Sequence, residues 1–122
     1  MNKLEYIRFL TGDIVYIHGS VRVISSCDGY YATYYDEDET LQEVNVNVIE
    51  GVPLTTVILE KNGWEHKDDV YFKDYPQRKL VTYDDKAYII NESCSLFLRK
   101  VEFVHQLQNL LFGLGLNSEM EV

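Results

Sequence analysis

Short runs of β-branched and aromatic residues, cut by two-residue turn formers, set the strongest limit on how this chain can fold. Asp13-Ile14-Val15-Tyr16-Ile17-His18 and Val21-Arg22-Val23-Ile24 flank Gly19-Ser20. Glycine at the first turn position permits the positive φ of a type II′ hairpin. Asp28-Gly29, the preferred type I′ pair, leads into Tyr30-Tyr31-Ala32-Thr33-Tyr34-Tyr35. Beyond the acidic loop Asp36 to Glu39, Val44-Asn45-Val46-Asn47-Val48 alternates strictly and predicts a strand with its valines on one face. The N-terminal half therefore reads as a β-meander. Its first four or five strands could close into a small SH3-like barrel.

Around Pro53 the period changes. Thr55 or Thr56 can cap a short helix through Val57 to Glu60, which Asn62-Gly63 ends in left-handed geometry. Strands then resume around the turn pairs Asp68-Asp69 and Asp84-Asp85, with Ser95 to Val101 as the last candidate. Phe103, Val104, Leu107, Leu110, Leu111 and Leu114 recur at helical spacing and predict a C-terminal amphipathic helix. Asn117 to Val122 reads as a loose tail.

The expected fold is α+β. It is mostly antiparallel β, with an N-terminal SH3-like meander or barrel, a short central helix and a C-terminal amphipathic helix packed on a sheet. The chain reads as a single domain over 1–122. A subdomain seam near 50–53 would leave a β-meander over 1–50 and an α+β part over 53–116.

Composition narrows the partners. The formal charge of −9 repels phosphate backbones and anionic lipid heads, so non-specific nucleic-acid binding is disfavoured. No stretch approaches the length of a membrane-spanning helix. The start, residues 1–13, is too polar for a secretory signal. The expected location is the cytoplasm, with Cys27 and Cys94 as reduced thiols, although a bridge between them is left open.

Three segments carry a resemblance. Leu10-Thr11-Gly12-Asp13-Ile14-Val15-Tyr16, the stretch Ile49 to Trp64, and Val104-His105-Gln106-Leu107-Gln108-Asn109-Leu110 are similar to an uncharacterised family of small proteins from phages and mobile elements of gut anaerobic bacteria. The third segment matches a near-C-terminal VHQLQNL signature. After it the chain reads LFGLGLNSE, where the family often has YFALTGEEL. The resemblance implies an origin and a compartment, and no activity.

Candidate contact residues fall in two groups. His105, Gln106, Gln108 and Asn109 place polar groups on the C-terminal helix, with His105 and Asn109 four residues apart on one face. They could meet a partner or ligand, or bond the ends of adjacent strands. Tyr30, Tyr31, Tyr34 and Tyr35 fall two per face on a regular strand, so one pair would enter the core and the other would form an aromatic platform. Such a platform suits peptide binding better than base stacking, because only Arg22 lies nearby to supply a basic groove.

The acidic run Asp36 to Glu39 lacks the staggered spacing of a calcium loop, and His18, His66 and His105 show no zinc spacing. No metal or cofactor is expected. Neither cysteine has the glycine pattern of a nucleophile elbow. These features favour a non-enzymatic, acidic protein-interaction protein of phage or mobile-element origin. The alternatives are a peptide or small-ligand module built on the tyrosine face, and an unrecognised hydrolase. Self-association through an exposed edge strand such as Val44 to Val48 is left open.

Overall fold

The computed structural model describes residues 9–76, 78–92 and 94–122, so most of the polar N-terminal stretch read above lies outside the described residues. Strands β1 (Ile14–Ile17) and β2 (Ser20–Val23) form the first hairpin, with Ile17 opposite Ser20. Its turn is His18-Gly19 rather than Gly19-Ser20. Both residues have positive φ, 51° and 80°, the type I′ signature. Histidine enters the left-handed region more readily than most side chains, which frees Ser20 to join the strand.

Strands β3 (Ser26–Cys27), β4 (Tyr31–Tyr35) and β5 (Leu41–Asn45) form a second antiparallel sheet. The link between β3 and β4 also shifts by one residue. Asp28 N–H bonds Tyr31 C=O, so Gly29-Tyr30 is the central pair, and Gly29 alone has positive φ there. The Val44 to Val48 alternation does not produce one strand. Asn45 ends β5 by accepting the Asn47 N–H on its side-chain oxygen at 2.9 Å, and Val46–Val48 turn into one 3-10 turn. Short amide side chains compete with the sheet ladder in this way, and strand periodicity does not register it.

After the turn, β6 (Ile49–Gly51) returns to pair with the far side of β1, giving the order β2-β1-β6. Two open three-stranded sheets result. The SH3-like closure allowed by the sequence does not occur: among the described residues, β2 pairs only with β1. Val15, Ile17, Ile24, Ala32, Tyr34, Val46 and Ile49 fill the space between the two sheets.

Helix α1 (Thr56–Lys61) starts where Thr55 Oγ1 accepts the Ile58 N–H. At its end Trp64 N–H bonds Leu59 C=O and Gly63 N–H bonds Glu60 C=O. With Gly63 at φ 85°, these two bonds make a Schellman cap. A five-stranded antiparallel sheet follows, of β7 (Glu65–Lys67), β8 (Val70–Tyr75), β9 (Arg78–Tyr83), β10 (Lys86–Ile90) and β11 (Ser95–Lys100), in the order β11-β10-β9-β8-β7.

Helix α2 (Val104–Gly113) is shared by both halves. Val104 packs with Ile14, Val52 and Ile58 on the side of the first sheet. Leu107 and Leu111 pack with Leu59, Trp64 and Leu80 on the side of the five-stranded sheet. Truncating a fully buried leucine such as Leu107 to alanine typically costs about 2–5 kcal/mol.

The tail is fastened, contrary to the loose end expected for 117–122. The Asn62 side chain donates to Glu121 C=O at 2.8 Å and accepts from Glu121 N–H at 2.9 Å. Met120 and Val122 pack against the apolar cluster around Ile14 and Val52. A single amide thus offers the tail the pairing that a neighbouring strand would offer.

Near residues 50–53 the chain crosses from one half to the other under close constraint. Pro53 bridges Phe103, Leu54 N–H bonds Glu102 C=O, and Val104 N–H bonds Val52 C=O. The Phe103 ring lies over Gly51, and a Cβ there would come within 2.6 Å of ring carbons.

Two substitutions test this architecture. Gly51→Ala is expected to force the root of the Phe103 side chain aside and to cost about 1–3 kcal/mol in urea unfolding. An unchanged midpoint would show that the ring moves freely. Asn62→Ala is expected to cost a similar ~1–3 kcal/mol and to speed hydrogen exchange at the Glu121 amide. Undiminished protection at Glu121 would place the tail's anchor elsewhere.

Candidate functional site

The polar residues of α2 are placed in detail. Phe103 precedes the helix and offers no side-chain acceptor, so Gln106 reaches back, its Oε1 accepting the N–H groups of Glu102 (2.7 Å) and Phe103 (3.2 Å). Gln108 is buried. Its Oε1 accepts the Ile14 N–H at 2.9 Å, while its Nε2 donates to Gly12 C=O and Ser118 C=O at 3.1 and 3.3 Å. Asn109 hydrogen-bonds the Asp13 carboxyl.

His105 is buried between the rings of Phe9 and Phe103, at centroid distances of 5.0 and 5.9 Å. Its Nδ1 has no hydrogen-bond partner among the described residues. Burial, with a smaller contribution from the nearby Arg99 charge, lowers its pKa from 6.5 to about 4. A neutral imidazole in an apolar sleeve is therefore the resting form.

Asp13 stands out only in three dimensions. Leu10 to Asp13 form a turn closed by the Asp13 N–H to Leu10 C=O bond, with Gly12 at φ 93° as a type II turn requires. The Asp13 carboxylate folds back to accept the Leu10 N–H at 2.8 Å, and the residue is only 2% exposed. Desolvation outweighs these hydrogen bonds and raises its pKa from 3.8 to about 6. The Thr11-Gly12-Asp13 triplet could have announced the turn, but Gln108, which bonds Gly12 and Ile14 on either side of Asp13, lies about 95 residues away and leaves no local trace.

A cavity of about 370 Å³ opens beside this turn, with Asp13, Gln108, Asn109, Phe112 and Glu119 among its lining residues. Its volume is that of a small-molecule site. The Asp13 carboxyl is held there by its hydrogen bonds with the Leu10 N–H and Asn109. Among the described residues, no group of three or more His, Cys, Asp and Glu side chains is placed to hold a metal ion. Both cysteines are free thiols.

The four tyrosines do not divide two and two. Tyr34 is 8% exposed and enters the core beneath the Arg22 guanidinium, which lies 5.5 Å from its ring centre. Tyr31 (48%) and Tyr35 (59%) point outward from β4, while Tyr30 (63%) sits in the preceding turn and belongs to neither face. Tyr35 lies opposite the exposed Leu41 of β5, and Tyr31 opposite Asn45. The outward face of β4–β5 therefore carries Tyr31 and Tyr35 towards its two ends, with Leu41 beside Tyr35 and the polar pair Thr33 and Glu43 between them. The acidic loop joins these strands. Its Asp36 carboxylate caps the loop by accepting the Asp38 and Thr40 N–H groups, and Glu37 pairs with Arg22.

No family model matches the chain, and no curated protein or solved structure matches it either. Among the described residues, no helix is long and apolar enough to cross a membrane.

Asp13 and His105 drive stability in opposite directions with pH. Asp13 holds its proton longer folded than unfolded, so its ionisation weakens the fold as pH rises from 3.8 to about 6. The unfolded chain protonates His105 first, so that residue weakens the fold as pH falls from 6.5 to about 4. Asp13→Asn is therefore expected to make the protein more acid-labile between pH 6 and 4 than the wild type. His105→Leu is expected to lose that lability and to weaken as pH rises through the same window. Urea midpoints across the range would check both, and parallel profiles for all three proteins would remove the assignment.

Proposed function

We propose that this is a non-catalytic protein that binds another protein through the outward face of β4–β5. The observation that carries the reading is the pair Tyr31 and Tyr35, held in solvent on a regular strand with Leu41 across from Tyr35. Aromatic side chains on a rigid sheet give large contact areas with little ordering cost, and they dominate the energetics of many interfaces. Two of the polar residues of α2, Gln106 and Gln108, are occupied by backbone groups within the fold, and Asn109 by the Asp13 carboxyl.

The net charge of −9 and the acidic loop beside the face favour a basic partner, including the nucleic-acid-binding surface of another protein occupied by charge mimicry. A phage or mobile-element origin and a cytoplasmic location rest on the sequence resemblance and the sequence-based expectations above. A second reading, small-ligand binding, is favoured by the cavity beside Asp13.

Pull-down from bacterial lysate at low and high salt tests the first reading, with the wild type compared against Tyr31→Ser and Tyr35→Ser. A tyrosine that anchors the interface is worth about 2 kcal/mol, or roughly thirtyfold in affinity, so specific capture should fall sharply. Capture that survives both substitutions unchanged would move the interface away from this face.

A further inference from the structure

The barrel's failure to close leaves an opening, and its shape is informative. Five consecutive residues, Val21 to Ser25, line a slot of about 440 Å³ together with Tyr35 from the end of β4. Among the described residues, strand β2 is the outer strand of its sheet. In an antiparallel hairpin with a two-residue turn, the pair closing the turn is hydrogen-bonded and the bonding then alternates. Ile17–Ser20 closes this turn, so Arg22 bonds back to Val15 while the N–H and C=O of Val21 and Val23 point away from β1. Val21 and Val23 are 44% and 54% exposed.

The other sheet edges are blunted. β7 is three residues long and reads Glu-His-Lys, while β3 has two residues. β5 presents Glu43 outward. β11 exposes Leu96 and Phe97, but it pairs through a bulge and ends in Arg99 and Lys100. β6 is three residues long and has Phe103 lying over its Gly51. Short strands, bulges and charges are the usual protections of an edge; β2 has four residues, pairs without a bulge and exposes the uncharged Val21 and Val23. Arg22 also lines this slot, and its Nε is buried without an acceptor among the described residues.

The geometry points to β2 as the acceptor edge for an extended, basic segment of a partner protein, which adds to the β2-β1-β6 sheet as a fourth strand. This rests on the protein-binding reading above and names how the partner is held. Strand addition supplies affinity through main-chain hydrogen bonds and selectivity through alternate side chains. Here apolar side chains of the segment lie along Val21, Val23 and Tyr35. The positive charge answers the loop Asp36 to Glu39, whose Glu37 already reaches Arg22 at the slot. The same loop disfavours a second copy of this chain, because β2-to-β2 pairing brings two molecules of charge −9 edge to edge.

The probe is a capped peptide alternating lysine and valine over seven residues, with a glutamate and valine peptide as its counterpart. Calorimetry is expected to show binding of the lysine peptide that weakens with salt, and at least tenfold weaker binding of the glutamate peptide. Hydrogen exchange is expected to slow at the Val21 and Val23 amides on binding. Val23→Pro removes one outward N–H without breaking the β1 ladder and should weaken binding by about tenfold or more. Val21→Lys leaves the backbone intact, repels the peptide and should act in the same direction.

Absence of lysine-peptide binding, equal binding of both peptides, or binding without added protection at Val21 and Val23 would each overturn the proposal. So would concentration-dependent dimerisation abolished by Val23→Pro. Lysate capture lost in Tyr31→Ser and Tyr35→Ser but kept in Val23→Pro would sink strand addition and leave the protein-binding reading standing. Loss of neither would remove both.

Discussion

One side-chain amide joins the two ends of this molecule. Gln108 accepts from Ile14 and donates to Gly12 and Ser118, so the entry to β1, helix α2 and the tail share one hydrogen-bonding centre. Because the residue is buried, each bond left unmade would cost the desolvation of a polar group, roughly 1–3 kcal/mol. The registration of the helix against the first strand follows from that constraint. Val104 then faces Ile14 and Val52, and Leu107 and Leu111 face the larger sheet.

A helix buried on two sides explains several features at once. Its length is set at one end by Gln106 reaching back to Glu102 and Phe103, and at the other by a Schellman cap. There Leu116 N–H bonds Leu111 C=O and Gly115 N–H bonds Phe112 C=O. The Phe103 ring needs Gly51 beneath it, which ties β6 to the same helix. With β1 flanked by β2 and β6, and its faces covered by the second sheet and by α2, the exposed backbone is confined to the rim. The slot along β2 lies on that rim.

Much of the architecture was legible in the residues. Apolar spacing located α2, Thr55 and Gly63 bounded α1, and the Asp84-Asp85 pair marked a tight turn that the structure closes with positive φ at both positions. The departures arose where a side chain outbid a period. Asn45 stopped a strand that the spacing of Val44, Val46 and Val48 predicts, and Asn62 held a tail of no evident pattern. Tyr30 and Tyr34 were separated by a turn that starts one residue later than its dipeptide suggests. At the cavity, the amides of α2 were visible as a polar stripe, but Asp13 was not. Its desolvation depends on groups brought from the other end of the chain.

The inverted environments of Asp13 and His105 have a consequence for how charge is carried into the interior. Near pH 5 the unfolded chain bears a carboxylate at one position and an imidazolium at the other, since their ordinary pKa values are 3.8 and 6.5. The folded molecule bears a neutral acid and a neutral base, with values of about 6 and about 4. Collapse therefore amounts, for these two groups, to handing one proton from nitrogen to oxygen, with none exchanged with the solvent. Two separate charges in water become two uncharged groups in the interior, and their opposite responses to pH offset each other.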